Sequence, residues 1–141
     1  MTTAPGMHTL QVGIDVHMEV VGDGRWTAHS FDPNLVVKLC SPRRTSQHHA
    51  ENGDISHAVD FVALRDIEVD EILSIDYTAT EWETAGGGFV CEASGREVRG
   101  FKHLTEEEKK RLLQAGMLPA HVLRLWLAER LGCSPGIEFP G

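Results

Sequence analysis

Apolar residues alternate with polar ones over several short stretches of the chain, and this alternation predicts β-strands. The first stretch runs from Leu10 to Val21, where apolar side chains at every second position are typical of a half-buried strand. Runs of branched apolar residues predict two more strands, and an alternating stretch that ends at Tyr77 predicts a fourth; these cover residues 35–40, 58–64 and 71–77. Most of the chain is therefore expected to form short strands.

Two helices are predicted near the carboxy terminus from their start and stop signals. Thr105 and Glu108 form a capping box, and Gly116 is placed to end that helix. Pro119 suits the first position of a second helix, which Gly132 would end. The second helix is apolar around much of its girth, so we expect it to be buried on two sides. One of those sides is a candidate contact with another subunit.

These elements predict an α+β fold that is mainly β, with helices at its carboxy terminus. A chain of 141 residues is one domain on length grounds. We expect residues 1–9 to form a flexible amino terminus, residues 10–104 the β-rich domain, residues 105–132 a helical hairpin and residues 133–141 a tail.

The composition narrows the expected partners and location. A net charge of −8 repels phosphate backbones, so direct binding to nucleic acid is not expected. No apolar run is long enough to cross a membrane. The first six residues lack the basic and apolar segments of a signal peptide. We therefore expect a cytoplasmic protein with no membrane partner.

A polar stretch at residues 41–57 predicts a long surface loop. It contains His48, His49 and His57, and histidine is the commonest metal ligand. Adjacent histidines cannot easily face one ion, however, and no cysteine or carboxylate lies at a tight ligand spacing. A solvated mobile loop is therefore the favoured interpretation. The three cysteines are too far apart in sequence for a disulfide framework or a paired metal motif; they are Cys40, Cys91 and Cys133.

Two motifs carry the information about function. The first, at residues 25–34, reads R-W-T-A-H-S-F-D-P-N, and the second, at residues 64–77, ends in D-E-I-L-S-I-D-Y. They resemble R-F-x-N-H-S-C-x-P-N and G-E-E-L-x-x-D-Y, the motifs of the SET domain of S-adenosylmethionine-dependent protein-lysine methyltransferases. The resemblance implies a truncated SET-like β-fold of short strands. It covers residues 10–113 and only the carboxy-terminal half of the family's domain.

The resemblance also implies an activity and a set of site residues. Tyr77 falls on the family's catalytic tyrosine, while Ala28, His29 and Phe89 fall where the family binds S-adenosylmethionine. The implied substrate is a lysine-containing protein or a small amine. Without the resemblance, Tyr77 would be read as an aromatic residue that caps an apolar strand face with its hydroxyl hydrogen-bonded.

A zinc-binding element of the family has a degenerate counterpart in this chain. Residues 89–100 resemble the post-SET pattern F-x-C-x-C-G-S-x-x-C-R-G, in which three cysteines and a fourth from the first motif hold zinc. Cys91 is present, but Ala93, Val98 and Phe31 stand at the other three positions. One thiolate cannot hold structural zinc, which needs four ligands, so we predict no structural zinc.

Two functional hypotheses remain open on the sequence. The first is a SET-type methyltransferase that acts on a lysine or another amine. The second is a divergent SET-like protein without protein-lysine methylation, which reuses the pocket for other small-molecule chemistry or serves as a binding or assembly module. Ala28, in place of the family's asparagine, favours divergence. In either case unpaired strand edges and the apolar helix at residues 120–131 predict a homodimer.

Overall fold

A computed structural model of the chain describes residue 6, residues 8–39 and residues 59–135. Short strands and a few helices build an α+β fold, as predicted, but the described residues do not show the expected predominance of strands over helices. The elements in chain order are β1 (Thr9–Gln11), β2 (His17–Glu19), β3 (Ala28–His29), β4 (Leu35–Leu39), β5 (Val59–Ala63), β6 (Ser74–Ile75), α1 (Tyr77–Thr80), β7 (Phe89–Val90), β8 (Glu97–Val98), α2 (Glu106–Gln114) and α3 (Ala120–Leu131), with 3-10 turns at Gly22–Trp26, Ala85–Gly87 and Phe101–His103.

The strands of the described residues pair two by two. Antiparallel pairs join β1 to β2, β4 to β5 and β7 to β8, whereas β3 and β6 run parallel. The β4–β5 ladder is the longest and runs from Leu35 opposite Ala63 to Leu39 opposite Val59. It confirms the predicted strands at 35–40 and 58–64 where they are described. The predicted loop at 41–57, with its three histidines, lies outside the described residues.

The single strand predicted from Leu10 to Val21 is wrong, because the chain folds back on itself as a β1–β2 hairpin. The turn is closed where the N–H groups of Val12 and Gly13 donate to the Val16 carbonyl at 2.9 and 3.2 Å. The reversal also changes which side chains are buried. Gln11 and His17, expected on the exposed face, are 3% and 7% exposed.

The strand predicted over residues 71–77 is also too long. Pairing is confined to Ser74–Ile75, and Tyr77 is the first residue of α1. Asp76 ends the strand because its carboxylate accepts hydrogen bonds from the Thr78 N–H at 2.9 Å and the Thr78 hydroxyl at 2.6 Å. A side-chain cap of this kind offers the backbone a helical turn in place of a ladder.

The predicted signals for the carboxy-terminal helices are confirmed with one small change. Thr105 and Glu108 form the capping box at the start of α2, and Gly132 ends α3 in the left-handed conformation, with φ of 63°. Pro119 is the cap of α3 rather than its first residue. Within the described chain α3 buries one face, whereas Leu127 and Leu131 are exposed, so the second buried side is not found here.

Two hydrophobic clusters hold these elements together. The first contains Leu10, Leu35, Val37 and Ile75, and it joins the hairpin to β4 and β6. The second is centred on Phe101, which is fully buried against Val122 and Trp126 of α3. The rings of Phe101 and Trp126 lie 5.4 Å apart, edge to face. The second cluster therefore attaches α3 to the segment that follows α1.

Gly100 is a position where the packing tolerates no side chain. Its φ is 110°, and a Cβ there would lie 2.5 Å from the Trp82 carbonyl oxygen and 2.7 Å from the Glu83 Cα, both backbone atoms. We expect Gly100→Ala to lower the free energy of unfolding by about 3 kcal/mol or more, through strain and overlap together. Urea denaturation followed by circular dichroism measures the change.

Gly95→Ala is the matched control for this prediction. Gly95 has a φ of 70°, but a Cβ there has nothing within 4 Å. The control should therefore lose only the stability that corresponds to strain in the left-handed conformation, about 1–2 kcal/mol. Equal losses in the two variants would contradict the close approach at Gly100.

Candidate functional site

The two motifs lie side by side although more than 40 positions separate their paired residues. Their strands β3 and β6 pair in parallel, with Ala28 opposite Ser74 and His29 opposite Ile75. The N–H of Ala28 donates to the Leu73 carbonyl at 3.0 Å, and the N–H of Ser30 donates to the Ile75 carbonyl at 3.0 Å. The end of β6 therefore brings Tyr77 next to His29.

Asn34 and Glu71, two further motif residues, hold this pairing in place. The buried Asn34 amide donates to the Ile72 carbonyl at 2.8 Å and accepts from the Ser74 N–H at 2.9 Å. It also donates to Glu71 at 3.1 Å. The Arg65 guanidinium, the Glu68 N–H and the Asn34 amide all bind the Glu71 carboxylate, and together they lower its pKa to about 2. Glu71 is therefore an anchor for the segment before β6.

A cavity of about 820 Å³ opens beside the β3–β6 pair. Of the residues predicted for the site, Tyr77, Ala28 and Phe89 line it. Its walls are mostly apolar or aromatic, and its ionisable side chains within the described chain are His8, Arg25, Tyr77 and Glu81. A volume of roughly 300–1,000 Å³ with few polar groups is typical of small-molecule sites.

Tyr77 is held by one hydrogen bond of its side chain and one of its backbone. Its hydroxyl donates to the Thr27 carbonyl at 2.6 Å, and its backbone N–H donates to His29 Nδ1 at 3.1 Å. Burial raises the pKa of Tyr77, and the carboxylate of Glu81 raises it further. The phenol therefore stays protonated, and its oxygen keeps lone pairs that can accept a hydrogen bond from a ligand.

His29 lies behind the cavity wall and does not line it. Its side chain is 3% exposed, and its ring contacts Phe31, Tyr77 and Phe89 edge-on with centroids 4.6, 5.2 and 5.8 Å away. Burial, helped by the positive charge of Arg96, lowers its pKa to about 4. The neutral ring accepts at Nδ1, so its proton is on Nε2. In this geometry the His29 side chain positions Tyr77 and does not reach a ligand in the cavity.

Residues 89–100, which resemble the zinc-binding element, are held by side-chain packing and an ion pair. The Arg96 guanidinium lies 4.1 Å above the Phe31 ring and pairs with Glu108. Val98 is fully buried, opposite Phe89 in the β7–β8 pair. Among the described residues there is no group of three or more His, Cys, Asp or Glu side chains that could hold a metal ion. The expected lack of structural zinc stays a prediction.

Glu81 is a site residue that the sequence reasoning missed. It lies directly after α1 and lines the cavity, yet it is only 9% exposed. Its Oε1 accepts the Gln11 N–H at 2.8 Å, and the Gln11 side chain in turn accepts the Trp82 N–H at 2.7 Å. Burial raises the pKa of Glu81 to about 7. The available signal was its position four residues after Tyr77, one helical turn away.

Two buried histidines lie near Glu81 without neutralising it. His17 Nε2 is 3.7 Å from Glu81 Oε2, too far for a hydrogen bond, and His121 Nε2 lies 3.1 Å from the Thr80 carbonyl oxygen. Burial lowers the pKa of both imidazoles. Both rings are therefore neutral at pH 7, and neither offers Glu81 a cation.

Comparison of the chain with family models, with curated proteins and with solved structures gave no match in any of the three. In the part of the chain that the structure describes, no helix is long and apolar enough to cross a membrane. The function is therefore inferred from the motifs and from the geometry of the cavity.

The raised pKa of Glu81 predicts a pH-dependent gain in stability for Glu81→Gln. Below the unfolded value of 4.5 both states hold the proton, and the group contributes nothing. As pH rises from 4.5 to about 7, only the unfolded state ionises, so the wild type loses stability. The variant has no ionisable group at this position and keeps its stability. Its free energy of unfolding relative to the wild type should therefore increase by up to roughly 3 kcal/mol across that pH range. Urea denaturation at pH 4.5, 6 and 7.5 measures it.

Glu83→Gln provides the control, because Glu83 is exposed and pairs with Lys102 at 3.2 Å. Loss of an exposed ion pair should change stability by less than about 1 kcal/mol. If the stability of both variants relative to the wild type increased equally with pH, the pH dependence could not be assigned to Glu81.

Proposed function

We propose that the chain is a SET-type methyltransferase that moves a methyl group from S-adenosylmethionine to a lysine or another amine. The observation that carries the proposal is the parallel pairing of the two motifs, which sets the Tyr77 hydroxyl on the wall of the cavity. The truncated SET-like fold suggested by the motifs is part of the same proposal.

The cavity suits the cofactor that this function requires. Its 820 Å³ lie in the upper part of the range for small-molecule sites, which suits a ligand as large as this cofactor. Trp26, Phe61 and Phe89 offer aromatic surface for an adenine ring, and Ala28 leaves its part of the wall open. When bound, S-adenosylmethionine supplies an electrophilic methyl carbon on a sulfonium.

The chain's own residues then need only to bind and orient the amine. Because the Tyr77 hydroxyl already donates to Thr27, its oxygen can accept an N–H from the substrate and direct the nitrogen lone pair. His29 holds the Tyr77 backbone, and burial keeps that histidine neutral. Positioning and charge placement of this kind account for a large part of many enzymatic rate accelerations.

A divergent SET-like protein is the second candidate. The stacking of Arg96 on Phe31 favours it, because this contact occupies the region where the family resemblance would place zinc ligands. Such a protein would use the same cavity for other small-molecule chemistry, or for binding and assembly. Calorimetric titration with S-adenosylmethionine separates the candidates, since the first requires a saturable binding heat and the second does not.

Tyr77→Phe tests the methyltransferase directly. The change removes one hydroxyl and its bond to the Thr27 carbonyl, so we expect a loss of about 0.5–1.5 kcal/mol in stability. Methyl transfer should fall much more steeply, by about a hundredfold, because the amine loses its positioning group. The measurements are a thermal melt and the transfer of labelled methyl groups to lysine-rich peptides and small amines.

Thr105→Ala is the matched control, since it removes the cap of α2 and costs a similar amount of stability, about 1 kcal/mol. It should keep wild-type transfer rates. A wild type that neither binds S-adenosylmethionine nor transfers a methyl group would contradict the first candidate and leave the second.

The predicted two-fold dimer is a further part of the proposal. Leu127 and Leu131 of α3 are 40% and 65% exposed, which suits a partner's apolar face. Light scattering should give twice the monomer mass, and Leu131→Glu should shift the protein towards the monomer. A monomer mass for the wild type over a wide concentration range would exclude the dimer.

A further inference from the structure

Glu81 is a cavity residue whose chemistry the proposed mechanism does not use. Of the described side chains that line the cavity, it is the only carboxylate. Tyr77 also lines the cavity, and its phenol feels the Glu81 charge. The cavity therefore contains one carboxylate whose role is unassigned.

The Glu81 carboxylate is held in place by one of its oxygens only. Oε1 accepts the Gln11 N–H at 2.8 Å. For Oε2 the described residues provide no hydrogen bond, and His17 Nε2 stays 3.7 Å away. Oε2 therefore keeps its acceptor capacity for a ligand, and a charge-assisted hydrogen bond from that ligand would be favourable.

The charges around Glu81 do not offset its own. His17 on β2 and His121 on α3 are neutral because burial lowers their pKa values, and the Tyr77 phenol stays protonated. His8 and Arg25 line the same cavity, and the Arg25 guanidinium lies 4.8 Å above the Trp26 ring. A positive ligand group would therefore meet an uncompensated carboxylate.

The walls of the cavity indicate what should carry that positive group. Trp26, Phe61 and Phe89 offer aromatic and apolar surface, which suits a hydrocarbon chain and attracts a cation to the ring faces. We propose that Glu81 Oε2 binds a primary ammonium at the end of a flexible apolar chain. This inference places the amine of the proposed reaction, and in that respect it rests on the proposed function.

An NMR titration of the full chain with n-pentylammonium tests the inference, and 1-pentanol serves as the uncharged match. At pH 7.5 the wild type should bind the ammonium about tenfold more tightly than the alcohol, as expected for a charge-assisted hydrogen bond. Glu81→Gln keeps an acceptor for the Gln11 N–H and should remove that preference. Glu83→Gln, which deletes an exposed carboxylate, should retain it.

The pH dependence gives a second measurement that needs no variant. As pH rises from 5.5 to 8, Glu81 ionises, so affinity for pentylammonium should increase while affinity for pentanol stays constant. Equal affinities for the two probes at pH 7.5, an unchanged preference in Glu81→Gln, or a preference lost equally in Glu83→Gln would each overturn the inference.

The ammonium could belong to the amine substrate or to the amino-acid end of S-adenosylmethionine. Titration of S-adenosylmethionine with and without saturating pentylammonium distinguishes these sources. Competition assigns Glu81 to the cofactor, and simultaneous binding assigns it to the substrate. Because the pentylammonium titration contains no cofactor, its failure would refute the role of Glu81 alone. Failure of S-adenosylmethionine to bind would refute only the proposed methyl transfer.

Discussion

One buried amide, that of Asn34, holds the arrangement on which the site depends. It is 1% exposed, and both ends of it bind the segment before and within β6. The parallel pair that it stabilises has only two residues in each strand, and parallel pairing is slightly weaker per residue than antiparallel pairing. Without Asn34 the buried Ser74 N–H would be left without its acceptor. The register that brings Tyr77 to His29 therefore rests on a side chain outside both strands.

Much of the local structure could be predicted from the sequence, because its signals act over a few residues. The capping box at Thr105 and the terminal glycine at Gly132 need only their own helix turns. The β4–β5 ladder follows from branched apolar runs. The motifs also marked Tyr77 and Asn34 in advance, although the motif letters carry no account of why an asparagine is needed at position 34. The hydrogen bonds of Asn34 to the residues around β6 supply that reason.

The errors arise where polar side chains outweigh a periodic pattern. Because apolar residues recur at every second position, the pattern predicts that Gln11 lies on the exposed face of a strand. Its side chain and backbone instead bind Trp82 and Glu81, about 70 positions away. No window along the sequence contains both partners, so neither the burial of Gln11 nor the raised pKa of Glu81 could be predicted. Asp76 ended a strand for a local reason, its cap on Thr78, which alternation alone does not reveal.

In the proposed reaction, binding and chemistry require opposite protonation states of one amine. A carboxylate such as Glu81 binds the ammonium form and makes that form harder to deprotonate, because an opposite charge nearby raises an amine's pKa. The attacking nitrogen must nevertheless be neutral, with its lone pair free. Tyr77 can hold that neutral form, since its oxygen accepts an N–H while its own hydroxyl proton is donated to the Thr27 carbonyl. The two residues lie four positions apart, and both line the cavity. In the proposed reaction the ammonium is therefore captured at Glu81, loses one proton to bulk water and then reacts beside Tyr77 as the neutral amine.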